Sequence, residues 1–393
     1  MKHADHMSLL GKKLKPRVKV AAQSYAPDNA LNAICPYFTM FPLEYPLQVL
    51  KKYKKELPVV IDPFCGRGTT LFAARKMQFK AWGIDSSPVA VAIAKAKLAK
   101  CEIGEPLALA KQILEECEPE SIPDTPFFRA AYHTDTLRDL CVLRNGLLNL
   151  EEETDSSVVL KAAVLGCLHG PLSKCPENAG YFSNQMPRTY ASKPDYAVRY
   201  WEKKCLIAPK IDVLHVLRKK ISRLIGLPDN LCGSFSQVLL GDSQNSITFE
   251  SIPSDVSLVI TSPPYYGMRT YVQDQWLRNW FLGGSDRVDY TSGPQVHHGG
   301  QESFAKSLGS IWRNISEKAP NNLHMHVRFG IIPSTKVNAK ELFYASIEAS
   351  GLQWRVVSSR SAKSAAAGKR QADQMKSSAP AAAIEYDFHV ERI

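Results

Sequence analysis

Residues 57–100 restrict the fold more than any other part of the chain. An apolar run, Pro58-Val59-Val60-Ile61, ends in Asp62, and two glycines follow within Cys65-Gly66-Arg67-Gly68. That pattern predicts a buried parallel strand, a tight turn and then a helix over residues 69–77, with Leu71, Phe72 and Ala74 turned inward. A second strand, Ala81-Trp82-Gly83-Ile84, ends in Asp85. Ser86 or Ser87 then caps a further helix, rich in Ala and Lys, that runs to about Lys100. Strand, helix, strand and helix in this order open a doubly wound α/β sheet.

The alternation then stops. Over residues 106–232 the sequence reads as mostly helical and irregular. Strand patterns resume at Gln237-Val238-Leu239-Leu240, followed by Gly241-Asp242-Ser243, and at Ser257-Leu258-Val259-Ile260, followed by Thr261-Ser262-Pro263-Pro264-Tyr265. Later strand candidates are 324–332 and 354–358, with a helix over Ala339–Ala349 between them. Residues 361–383, rich in Ala, Ser, Gly and Lys, read as a loop before a final strand at 384–390. The expected organisation is an α/β domain in two halves, 1–105 and 233–393, interrupted by a helical insertion at 106–232.

Composition narrows the partners. The 9 cysteines include no Cys-x-x-Cys, which indicates neither a disulfide framework nor a zinc ribbon. Cys167, His169 and Cys175 fit no common zinc spacing, so no metal is expected. No run approaches the ~20 apolar residues that span a bilayer, and Met1-Lys2-His3-Ala4-Asp5-His6 lacks the apolar core of a signal peptide. A cytoplasmic protein with no membrane partner is expected. The formal net charge of +11 favours a polyanionic partner. Its distribution is uneven: residues 101–160 carry 4 basic and 13 acidic side chains, and residues 161–230 carry 12 basic and 5 acidic ones. In that basic part Arg188, Lys193, Arg199, Lys203 and Lys204 lie among tyrosines and Trp201, a mix that suits phosphate contact with some base reading. Arg269 is a further candidate for contact with nucleic acid. Trp276 and Trp280, four residues apart on an apolar helix face, read as core.

Two constellations carry chemistry. Glycines after a strand let a ligand approach the backbone, and the helix that follows offers free N–H groups. Asp85, at the end of the next strand, can accept from both hydroxyls of a ribose. The third glycine of a dinucleotide fingerprint is missing, so a nucleoside without a pyrophosphate fits better. In the second constellation, Pro263 and Pro264 hold an extended backbone without N–H groups. Their carbonyls, the Ser262 hydroxyl and the Tyr265 ring suit an exocyclic amine on a stacked base.

Together these motifs resemble those of the amino-methylating DNA methyltransferases, which modify cytosine N4 or adenine N6. Asp62-Pro63-Phe64-Cys65-Gly66-Arg67-Gly68-Thr69-Thr70 is similar to that family's cofactor motif, and Thr261-Ser262-Pro263-Pro264-Tyr265 to its catalytic motif. The resemblance covers 57–100 and 236–282, and more loosely 28–50 and 323–393. It implies a Rossmann-like methyltransferase sheet, S-adenosylmethionine as cofactor and double-stranded DNA as partner. By the same resemblance Asp62, Phe64, Gly66 and Gly68 hold the methionine portion of the cofactor, with Thr69 and Thr70 at the helix start. Asp85 binds the ribose, and Asp242 lies near the adenine. Ser262, Pro263, Pro264 and Tyr265 form the catalytic turn, with Tyr265 stacking on the flipped base. Ala30-Leu31-Asn32-Ala33-Ile34-Cys35-Pro36-Tyr37-Phe38 resembles the N-terminal motif that closes over the methionine end.

Ser-Pro-Pro-Tyr resembles the cytosine-N4 enzymes more than the adenine-N6 enzymes, which are the alternative. A more distant alternative is the RNA guanine-N2 methylases, which usually carry Asp or Asn where Ser262 stands. A carbon-5 cytosine methylase needs a cysteine nucleophile, typically after a proline, and the chain has no Pro-Cys dipeptide. Direct attack by the amino nitrogen is therefore expected. The insertion at 106–232 resembles a target-recognition domain. No nuclease motif occurs, so a cognate restriction endonuclease would be a separate chain, and one enzyme copy suffices to modify one strand per visit.

Overall fold

The computed structural model describes residues 27–37, 42–171, 175–186, 193–224, 235–267, 275–289, 300–319, 322–331, 337–362 and 385–393. The apolar runs become strands: β1 (Val59–Asp62), β2 (Ala81–Asp85), β3 (Ser236–Leu240), β4 (Val256–Thr261), β5 (His324–Gly330), β6 (Trp354–Ser361) and β7 (Glu385–Arg392). They form one sheet in the order β3-β2-β1-β4-β5-β7-β6. β1 to β5 are parallel, and β7 runs antiparallel to both β5 and β6. Passing outward from β1, the chain fills one side of the sheet and then the other, as expected of a Rossmann-like sheet. The reversal leaves a crevice at the carboxyl ends of β1 and β4.

Both faces of the sheet are covered, which is why its central strands are continuously apolar. α1 (Glu44–Lys52) and α2 (Thr69–Lys76) cover the face that carries Val60, Leu258 and Ile260. α3 (Pro88–Leu98) is capped by Ser87, whose hydroxyl accepts from the Ala90 N–H. It is apolar nearly all round because it is covered twice. Val91 and Ala94 pack toward the sheet, and Val89, Ile93 and Ala96 pack toward further helices.

Those helices are α4 (Gly104–Glu116), α5 (Pro126–Ala131), α6 (Thr134–Leu148), α7 (Asp155–Cys167), α8 (Pro194–Lys203) and α9 (Val213–Ile221). α10 (Trp276–Phe281) joins them after β4, and its Trp276 and Trp280 are buried as core. One apolar cluster runs from Phe72, Val89 and Ile93 through Phe128, Leu140 and Leu160 to Trp280. The helical region therefore shares its core with the α/β half. Each such large side chain contributes about 1.5–3 kcal/mol on burial, so the same packing holds α3 to the sheet and the helices to α3.

On the opposite face, α11 (Gln301–Glu317) and α12 (Ala339–Ala349) pack on Ile61, Val259, Met325 and Val327. Among the described residues no helix is long and apolar enough to cross a membrane. Most of the loop expected at 361–383 lies outside the described residues.

Candidate active site

Hydrogen bonds lace together the carboxyl ends of three neighbouring parallel strands. The Gly66 N–H donates to Asp85 Oδ2 at 2.8 Å, and the Cys65 N–H to the Ile84 carbonyl at 2.9 Å. The Gly241 N–H donates to the Asp85 carbonyl at 3.1 Å, and Ser243 Oγ to the Pro63 carbonyl at 2.6 Å. The turn after β1 and the ends of β2 and β3 thus form one rim. Along it stand Phe64, Gly66, Asp85 and Asp242, each half-buried.

The two glycines of the turn have different tasks. Gly66 has φ +51°, and an added Cβ would meet nothing nearer than the Phe64 carbonyl at 4.0 Å. It borders open space, with a dihedral that only glycine takes easily. Gly68 has φ +74°, and its Cβ would stand 2.8 Å from that of Ala94. Its N–H is already given to the Cys65 carbonyl at 2.8 Å. The absent side chain lets α2 close onto α3.

Asp62 anchors the turn from below. Its carboxylate is fully buried and accepts from Thr261 Oγ1 at 2.6 Å, Thr70 Oγ1 at 2.6 Å and the Phe64 N–H at 3.1 Å. These bonds tie β1, α2 and β4 together beneath the crevice. Thr69 and Thr70 are buried at the start of α2, and the Thr70 hydroxyl is turned toward Asp62 rather than outward. Burial raises the Asp62 carboxyl to about 6 despite the three hydrogen bonds, which oppose the rise.

Asp85 accepts from Gly66 on one oxygen and from the Ser87 N–H on the other at 2.9 Å. Desolvation at the rim raises it to about 6 as well, against the pull of those two amides. Asp242 accepts from the Gln244 N–H at 2.9 Å. Gln244, with Gly300 and with Gln301, Lys306 and Ser310 of α11, lines a cavity of about 730 Å³.

The second constellation leaves the end of β4 next to this rim. Thr261 is fixed by its bond to Asp62, and Ser262 and Pro264 are half-buried while Pro263 is buried. Tyr265 stands differently from expectation. Its ring has 0 % exposure and its hydroxyl donates to Glu385, so it offers no open face for a base to stack on. Tyr266 is the half-buried aromatic of the turn, edge-on to Phe304 with centroids 5.3 Å apart.

The N-terminal segment reaches the same neighbourhood through a 3-10 helix, Pro27–Ala33. Asn32 Oδ1 accepts from Lys97 Nζ at 2.9 Å, and Ile34 and Cys35 are buried. Phe38, the end of the motif, lies outside the described residues. Lys97 is completely buried, and burial first, with the charge of Arg67 second, lowers its ammonium well below the ordinary range.

Of the expected nucleic-acid contacts, Lys193, Arg199, Lys203 and Lys204 are all exposed on or beside α8, whose other face buries Ala197 and Trp201. Arg188 and Arg269 lie outside the described residues. Sequence reasoning missed Thr261, Ser243, Lys97 and Glu385. Thr261 opened the second motif without being given a role, but Glu385 had no signal, being 120 residues from Tyr265 along the chain.

Residues 13–96 match the family model described as DNA methylase. The match takes in the turn from Asp62 to Thr70 and Asp85, stops before Ser262, and supports an amino-methylating methyltransferase. No curated protein matches the chain. Among solved structures the chain is similar to the rRNA methyltransferase AviRa from Streptomyces viridochromogenes. One AviRa structure, at 1.5 Å, is 11% identical over 90% of this chain and 87% of that chain, with a TM-score of 0.31. Another, at 2.4 Å, is 12% identical over 90% and 86%, with a TM-score of 0.28.

Proposed function

We propose that this chain is a site-specific DNA methyltransferase that transfers a methyl group from S-adenosylmethionine to the exocyclic amine of a flipped base, cytosine N4. The observation that carries the reading is the meeting of two turns at the reversal of strand order. There the Gly66–Asp85 rim stands beside Ser262 and the prolines at the end of β4.

The residues present fit a nucleoside cofactor. Gly66 leaves room at the turn, Asp85 is an acceptor at the end of β2 for ribose hydroxyls, and Asp242 is the acceptor toward the base of the cofactor. When bound, S-adenosylmethionine supplies an electrophilic methyl on a sulfonium. Ser262 and the carbonyl beside it would accept hydrogen bonds from the target amine, draw its lone pair out of conjugation with the ring and aim it; the new N–C bond would form as the S–CH3 bond breaks, with the amine's surplus proton passing to solvent. Catalysis then rests on positioning and electrostatics. Extracting the base from a duplex costs a few kcal/mol, and the exposed cations at α8 hold the DNA by its phosphates.

The serine hydroxyl serves adenine N6 as well as cytosine N4, so the base is settled by experiment. Labelled S-adenosylmethionine is incubated with unmethylated plasmid, and the DNA is digested to nucleosides and separated. Label in N4-methylcytosine is the expected result. Label in N6-methyladenine overturns the base assignment but keeps the reaction class. Label in transfer RNA, with none in DNA, replaces the reading with an RNA methylase.

A second expectation concerns pH. A carboxylate accepts from two ribose hydroxyls only while it is ionised, and Asp85 takes up its proton near 6. Cofactor affinity should hold from pH 8 to 7 and fall by up to tenfold per unit below about pH 6. Asp85→Asn should bind weakly with a flatter profile. Titration calorimetry across that range checks this, and a wild-type affinity that rises on acidification removes Asp85 from the site.

A further inference from the structure

The burial of Tyr265 needs a cause, and the far edge of the sheet supplies it. Glu385, the first residue of β7, is 4% exposed and accepts the Tyr265 hydroxyl. Directly across the β5–β7 register from Glu385 stands Gly330. A Cβ there would lie 2.9 Å from Tyr265 Cζ and 3.2 Å from Glu385 Cγ. The missing side chain is therefore the space in which the phenol meets the carboxylate.

The neighbouring groups leave Glu385 to that task. Asp387, two residues on and on the same face of β7, takes Arg328 in a bidentate pair with distances of 2.7 and 2.8 Å. The Arg328 guanidinium is held 4.2 Å over the Tyr45 ring. Backbone continues the attachment, for Tyr266 bridges to Ile331 in parallel fashion just past the end of β5. The turn that leaves β4 is thus fastened to Thr261 and Asp62 at its start, and to β5 and β7 at its end.

We propose that Glu385 is a positioning residue for methyl transfer: by holding the Tyr265 phenol it fixes the Pro263 and Pro264 carbonyls and Ser262 relative to the crevice. This rests on reading residues 262–265 as the catalytic turn. A displacement of about 1 Å at such a turn is enough to cost up to 10²-fold in rate. The structure thus assigns Tyr265 a bracing role through its hydroxyl.

The test uses the full chain with Glu385→Ala, Glu385→Gln, Tyr265→Phe and the double variant Glu385→Ala with Tyr265→Phe. Three quantities are measured: single-turnover methyl transfer, cofactor affinity, and backbone amide exchange over residues 262–267. Glu385→Ala and Tyr265→Phe should each slow transfer by about tenfold or more, and the double variant no further. Glu385→Gln keeps an acceptor oxygen and should stay within about threefold of wild type. Cofactor affinity should hold in all four, while amide exchange at 265–267 quickens in the variants that lack the hydrogen bond.

Wild-type transfer by Glu385→Ala overturns the proposal, as does an equal loss in Glu385→Gln, or a loss that follows cofactor affinity. Should Glu385→Ala not fold, the comparison of Tyr265→Phe with Glu385→Gln decides in the same way. If the wild-type protein methylates no nucleic acid, the proposed function fails by itself. Exchange at 265–267 then decides the brace, and unchanged exchange in Tyr265→Phe rejects it.

Discussion

Ser262→Ala is expected to cut methyl transfer by about 10²-fold or more while cofactor affinity stays within about twofold. The size follows from what is removed. A fixed hydrogen-bonding group aimed at the reacting atom is worth roughly 10²–10³ in rate where water is excluded. Ser262 has the fixity this requires. Thr261, one residue earlier and the last of β4, is bonded to the buried Asp62. Ser262 follows it directly and is half-buried. Cofactor affinity is predicted to survive because the Gly66–Asp85 rim is built from β1 and β2 and needs nothing from the serine. Single-turnover transfer to plasmid DNA, with calorimetry of cofactor binding, checks both halves. Full turnover sinks the proposed role of the serine, and equal loss of rate and cofactor affinity makes it a fold residue.

How much of this was legible in the sequence depends on the range of the interactions concerned. The strands announced themselves because each is a short apolar run closed by a polar turn. The first two helices of the sheet follow within a few residues of their signals, so Ser87 and Pro88 could be read as a start. β7 was legible as a strand, yet nothing in the sequence placed it antiparallel between β5 and β6, since pairing is set by contacts across the whole chain. The rim was half legible. Gly66 and Asp85 are bonded to one another as local strand–turn logic suggests. Asp62 and Gly68 also build the turn itself: one satisfies buried hydroxyls and the other clears Ala94. A motif records which residues a turn needs, and does not separate those that face a ligand from those that build the turn. The burial of Tyr265 was not legible, because the residue that takes its hydroxyl sits on another strand.

Asp62→Ala is the substitution expected to cost most in stability, about 2–5 kcal/mol of a total that is typically 5–15. Removing the carboxylate strands the Thr261 hydroxyl in the interior, where a buried donor without an acceptor costs about 1–3 kcal/mol, and takes the acceptor from the part-buried Phe64 N–H. Thr70 is the exception, because its hydroxyl can turn to the Ile260 carbonyl 3.3 Å away. That geometry makes Asp62→Asn much milder. The amide oxygen can serve Thr261 and Phe64, its N–H₂ can donate to Thr70, and Thr70 in turn can donate to Ile260. The two variants also separate by pH. An acid whose folded-state value is raised to about 6 favours the fold most below its ordinary value of about 4, and loses that advantage as pH rises through 6. Wild type should therefore lead Asp62→Asn by more at pH 5 than at pH 7.5. Urea unfolding at both pH values measures this. An Asp62→Ala midpoint equal to wild type, or a gap to Asp62→Asn that widens with pH, would show that Asp62 does not anchor the turn as a buried carboxylate.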